Sequence, residues 1–202
     1  LESIDTSEMK LYFYLHGAET LYRDWPKIAS PYFEPAVEIN DFWEYRFKIK
    51  DSYIKKYNEF SNAKWVFVTD WTKQRCEELL GIKFKNFDIV PCLIDDELFK
   101  FEKKDPELRK KIFVLRKFDD INSYSLDTVV RIILELSRRP FFKDLQIEIY
   151  GDGSLHERIL APVKNIENVI IHKKFLNHQE IREVHNSHGI ALFPTRFDSQ
   201  AV

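Results

Sequence analysis

Short, wholly apolar runs, each halted by a turn residue or a polar break, constrain this chain more than any other feature. Leu11 to Leu15 (LYFYL) is broken by His16-Gly17, Trp65 to Thr69 (WVFVT) runs into Asp70, and Phe87 to Val90 is closed by Pro91. Ile112 to Leu115, Leu145 to Tyr150, Val169 to Ile171 and Ile190 to Phe193 have the same character, the last stopping at Pro194. Runs of this length with little polar alternation suit strands covered on both faces of a parallel sheet. Between them apolar residues recur at three- and four-residue steps. That spacing predicts helices from Ile39 to about Asn62, from a cap at Thr69 or Asp70 to Leu80 with a stop at Gly81, and over Leu126 to Leu136 before Pro140. Shorter helices are expected around Leu155 to Val163 and from Asn177 to about Ser187. Strands alternating with helices in this way predict an α/β chain of doubly wound parallel sheets.

The stretch Asp95 to Lys111 (DDELFKFEKKDPELRKK) is dense in charge and reads as a connector. It divides the chain into two Rossmann-like domains, 1–100 and 101–202. Both are expected to be incomplete, because the chain opens at Leu1 and closes at Val202 directly after its last strand. A hydrophobic share of 44% and a charged share of 32% fit a globular protein and not a disordered one. Aromatic residues at 15% predict a core filled by rings. A net charge of −2 provides no field for nucleic acid. Cys76 and Cys92 form no CxxC pair, which favours a reduced, cytoplasmic setting. No apolar run is long enough to span a membrane, and LESIDTSEMK lacks the features of a signal peptide. The histidines form no HExxH-like pairing, so no metal site is expected.

Several ordered pieces resemble glycosyltransferase family 4, the retaining sugar-nucleotide transferases of the GT-B fold. In the second half these are IFVLR at Ile112 to Arg116, IEIYGDG at Ile147 to Gly153, Asn168-Val169 followed by Phe175-Leu176 and a helix carrying Glu180, and the final strand with Pro194, Thr195 and Asp198. In the first half they are HGAE at His16 to Glu19 and DIVPCLIDDELF at Asp88 to Phe99. The resemblance implies transfer of a sugar, with retention, from a UDP- or GDP-sugar to a glycan or lipid-linked acceptor in polysaccharide synthesis. It implies no metal and no cofactor beyond the donor. Contact with the inner face of the membrane is a further expectation, with the basic positions of the Ile39 to Asn62 helix as candidates for anionic lipid. The chain departs from the family where the first signature glutamate is Asp198, where Ala201 replaces a glycine, and where the loop after Arg116 lacks a lysine at its usual place.

The resemblance assigns three catalytic candidates. Arg116 would hold the diphosphate leaving group, where a fixed cation lowers the barrier to breaking the anomeric bond. Asp198 would orient the donor sugar hydroxyls, and His16 would face the reacting sugar. Gly17, Glu19, Gly151, Gly153, Ser199, Gln200 and Ala201 complete the candidate binding set. Arg196 could share the work of Arg116. The plainer explanations are Arg116 as a surface arginine paired with Asp119 or Asp120, the two glycines as a tight turn, Asp198 as a solvated loop acid, His16 as a satisfied structural residue and Arg196 as a solvated loop residue. The alternative function is a non-catalytic Rossmann-like nucleotide-binding or interaction module. A nucleotide-sugar epimerase or dehydrogenase would need a GxGxxG after the first strand, and none exists.

Overall fold

The computed structural model describes residues 8–17, 41–119 and 124–196. These fall into two units, 8–17 with 41–93 and then 94–119 with 124–196. The first contains β1 (Leu11–Leu15), α1 (Asp41–Asn58), β2 (Ala63–Phe67), α2 (Asp70–Leu80) and β3 (Phe87–Ile89). Its strands lie in the order β1-β2-β3, all parallel, with Phe13 opposite Trp65 and Trp65 opposite Phe87.

Helix α1 and strand β2 differ in their bounds from the sequence pattern. Helix α1 ends at Asn58, because Glu59 and Phe60 turn back onto the carbonyls of Lys56 and Tyr57. That turn lets β2 begin at Ala63, two residues earlier than the apolar run implied, and end at Phe67. Thr69 is thereby free of the strand and caps α2, its Oγ1 accepting from the Thr72 N–H at 3.0 Å. Gly81 closes the helix at φ +65°. As the composition suggested, rings fill this core: Phe13 stacks on Trp65 at 4.7 Å, and Phe84 meets both Trp65 and Phe67.

One carboxylate is buried here. Glu77, 4% exposed, accepts from Lys73 (2.9 Å), Lys83 (2.7 Å) and the Phe84 N–H (3.1 Å). Burial alone would push the carboxyl up, but the hydrogen bonds from Lys83, Lys73 and the Phe84 N–H outweigh it and hold it down at about 2. Its folded value lies below its unfolded one, so its contribution is complete above about pH 4.5 and is lost as pH falls toward 2. Glu77→Gln should remove about 2 kcal/mol at neutral pH and flatten the acid limb of unfolding. Trp43, Trp65 and Trp71 belong to this unit, so tryptophan fluorescence during acid titration follows it. An acid limb identical in the variant would contradict the assignment.

The second unit contains β4 (Lys111–Leu115), α3 (Leu126–Ser137), β5 (Gln146–Tyr150), α4 (His156–Leu160), β6 (Val169–His172), α5 (His178–Ser187) and β7 (Ile190–Ala191). Its parallel strands lie in the order β6-β5-β4-β7. One face packs Ile112, Val114, Ile147 and Ile149 against Val129, Val130 and Ile133 of α3 and Ile159 of α4. Each such fully buried side chain contributes roughly 2 kcal/mol. The other face carries Phe113 and Tyr150 beneath Val184 of α5. The helix expected after Asn177 opens with a capping box, Glu180 N–H donating to Asn177 Oδ1 at 2.9 Å and Asn177 N–H to Glu180 Oε2 at 2.8 Å. Strand β7 is shorter than the apolar run Ile190 to Phe193. Leu192 N–H still donates to the Phe113 carbonyl at 2.9 Å, but Pro194 has no N–H to extend the ladder.

The later part of the charge-rich stretch is tied to this unit. Asp105 caps a 3-10 turn over Pro106–Lys110, and Gly189 N–H donates to the Leu108 and Lys111 carbonyls. Lys104 donates to the carbonyls of His185 and His188 at the end of α5, where a cation suits the helix dipole.

Candidate functional site

In an open parallel sheet, ligands collect beyond the strand carboxyl ends where the strand order reverses. That reversal falls at β4, with β5 and β6 to one side and β7 to the other. Arg116 is the first residue past β4 and stays attached to the sheet, its N–H donating to the Tyr150 carbonyl at 3.1 Å. The guanidinium lies against two rings, with Cζ 5.3 Å from the Tyr124 centroid and 5.0 Å from that of Phe193. Tyr124 precedes α3 and Phe193 follows β7, so the rings reach Arg116 from the segments that follow β4 and β7.

The Nε and Nη2 atoms of Arg116 are sheltered from solvent and have no hydrogen-bond partner among the described residues. These two form one edge of the guanidinium, the edge that grips a carboxylate or phosphate through two parallel N–H bonds. Buried donors without acceptors each cost about 1–3 kcal/mol, so this edge is matched to a group that the described residues do not supply. Asp119, one of the two acids considered as a partner for Arg116, is engaged elsewhere. It pairs with Lys117 at 2.9 Å and accepts from the Ser154 N–H at 2.7 Å. Lys117 and that N–H hold the Asp119 carboxyl down at about 2. Lys117 is thus neutralised within its own loop.

Gly151 and Gly153 follow β5 with φ values of +143° and +153°. A Cβ on Gly151 would sit 1.9 Å from the Arg116 carbonyl oxygen, and one on Gly153 would sit 2.5 Å from the Phe118 carbonyl carbon. The two loops are laced together by Phe118 N–H to the Asp152 carbonyl and Leu155 N–H to the Phe118 carbonyl. The glycines therefore let the β5 loop lie flush against the backbone that carries Arg116.

Arg196 is not a solvated loop residue. Its Nη1 and Nη2 donate to Oδ1 and Oδ2 of Asp127 at 2.7 Å and 2.6 Å, and Asp127 is wholly buried in the first turn of α3. This bidentate pair fastens the segment after β7 to the start of α3. Asp127 carries no motif, and only its place in the first turn of a helix hinted at a role. Tyr124 and Phe193 were equally silent, because one sits in a polar loop and the other ends an apolar run.

A second polar cluster fixes the end of β5. Glu148 accepts from Gln146 (2.8 Å), from the Tyr150 hydroxyl and from His172 (3.0 Å), with His188 Nε2 3.5 Å away. Burial favours a neutral Glu148, but the Tyr150 and His172 hydrogen bonds override it and its carboxyl is held below the ordinary range.

In the other unit, His16 is exposed after β1, and Gly17 is buried at φ +117°. Glu19, Asp198, Ser199, Gln200 and Ala201 lie outside the described residues. Among the described residues no cluster of His, Cys, Asp and Glu could hold a metal ion, and no helix is long and apolar enough to cross a membrane.

No protein-family model matches the chain, and no curated protein matches it in sequence. Solved structures do match it in shape. One is the crystal structure of TarM, at 12% identity and a TM-score of 0.60, covering 94% of this chain and 32% of that one. Another is a mutant of S. aureus TarM in complex with fondaparinux, α-GlcNAc-glycerol and UDP, at 12% identity and a TM-score of 0.62, covering 94% and 33%. The chain therefore spans about a third of the length of the structures it matches. At this identity the likeness speaks to architecture, and the chain has the α/β, parallel-sheet fold of GT-B glycosyltransferases.

Proposed function

We propose that the chain belongs to a retaining glycosyltransferase that moves a sugar from a UDP- or GDP-sugar to a glycan or lipid-linked acceptor. The observation that carries this reading is the unpartnered, sheltered Nε/Nη2 edge of Arg116 at the point where the strand order reverses. As the anomeric bond breaks, its electron pair stays with the diphosphate, and the negative charge there grows. A guanidinium already oriented toward those oxygens stabilises that charge without further reorganisation. The acceptor hydroxyl oxygen bonds to the anomeric carbon, and its proton passes to an oxygen of the leaving diphosphate. In this scheme Asp198 binds donor hydroxyls, and His16 serves the reacting sugar. The complex of a TarM mutant with UDP and a GlcNAc-glycerol supports a donor and acceptor of these classes.

The test is transfer or hydrolysis of radiolabelled UDP- and GDP-sugars by the full-length protein and its Arg116→Ala variant. Loss of two charge-assisted hydrogen bonds should lower turnover by about 100-fold. Equal turnover in the two proteins would remove Arg116 from the mechanism. Nucleotide binding without any turnover would favour the non-catalytic module instead.

A further inference from the structure

We infer that Tyr124 and Phe193 are positioning residues for Arg116, forming an aromatic clamp that holds the guanidinium for the diphosphate. The proposal rests on the donor reading above and adds what aims the cation. A free arginine side chain has about 2 kcal/mol of rotamer entropy, and a cation intended for one anion loses affinity if it must be ordered at the moment of binding. Two rings at 5.3 Å and 5.0 Å from Cζ lie within the range of cation–π attraction and restrict that freedom beforehand. They do so without using a hydrogen-bond donor. A carboxylate in the same place would occupy the Nε/Nη2 edge, whereas ring faces leave both donors unmatched.

The clamp is itself braced. The Phe193 ring stands edge-on to Phe113 at 5.3 Å and 85°, and Phe113 is 1% exposed in the middle of β4. Phe113 in turn meets His185 of α5 at 4.8 Å and His188 at 5.4 Å. Beyond Phe193, the Arg196–Asp127 pair ties the chain to α3, so the ring is fixed on both sides. Tyr124 packs against the opposite apolar cluster beneath α3. The same rings shelter the guanidinium from water, which strengthens its field on an arriving anion.

The test is calorimetric binding of UDP and of uridine to the full-length protein, in wild type, Phe193→Leu, Tyr124→Leu, Phe193→Tyr and Arg116→Ala forms. Either leucine variant should weaken UDP by about tenfold and leave uridine within about twofold, because only the diphosphate meets Arg116. Phe193→Tyr restores a ring face and should recover the UDP affinity, which a general packing defect would not predict. If Phe193→Leu does not fold, Tyr124→Leu gives the same readout from the segment after β4. UDP affinity unchanged in the leucine variants, alongside loss in Arg116→Ala, would overturn the clamp and leave the donor reading intact. Equal losses for UDP and uridine would also overturn it. A wild-type protein that binds neither UDP nor, in the same assay, GDP would contradict the donor reading, and the clamp with it.

Discussion

Gly151→Ala should destabilise the second unit by about 4 kcal/mol or more, among the largest effects of any single methyl group in this chain. The new carbon would lie 1.9 Å from the Arg116 carbonyl oxygen and 2.9 Å from Cε2 of Phe118. The first of these is backbone, anchored to the sheet through the Arg116 N–H bond to the Tyr150 carbonyl, so it cannot swing aside as a side chain could. The φ of +143° adds strain for any residue with a side chain. For a unit of about 100 residues a loss of this size lowers the melting temperature by roughly 15–30 °C. Gly81→Ala is the matched control. Gly81 also has positive φ, but its Cβ would meet nothing within 4 Å, so only the left-handed backbone penalty of about 1 kcal/mol applies. Thermal unfolding by circular dichroism compares the two. Similar losses for both glycines would show that the tight contact with the Arg116 loop is absent.

Arg196→Ala should cost about 3–5 kcal/mol, because it takes the bidentate guanidinium away from the wholly buried Asp127 carboxylate. Asp127→Ala should cost less, since the Arg196 side chain keeps 20% exposure and can turn to water. Removing both residues should cost less than the sum of the single changes, by about 1–3 kcal/mol of coupling. Additive losses in the double-mutant cycle would mean that the pair does not hold the segment after β7 to α3. The same cycle bears on binding, because Phe193 and Arg116 lie at opposite ends of the contacts this pair secures.

The order of elements was readable because the signals were local. LYFYL, IFVL and the apolar part of LQIEIY form strands at or within a residue of the expected positions, and Thr69, Gly81, Asn177 and Glu180 act as helix caps and stops. Errors gathered where tertiary contacts decide. Helix α1 stops at Asn58 although apolar residues continue to Phe60, because the chain must turn to enter β2. The candidate site was legible only in part. Arg116 stood out as a cation after a strand, and Gly151 and Gly153 as a turn. What makes Arg116 distinctive is contact with Tyr124 and Phe193, 8 and 77 residues further along, and no local pattern encodes a pairing at that distance. Arg196 was misjudged for the same reason, since its partner Asp127 lies 69 residues earlier in another element.

Calorimetry with UDP on the full-length protein, wild type against Arg116→Lys, probes the guanidinium edge itself. Lysine keeps the positive charge but cannot offer two parallel N–H bonds from one plane, so UDP affinity should fall by about tenfold or more. Equal affinity in the two proteins, or binding of neither UDP nor GDP by the wild type, would contradict a diphosphate held by that edge.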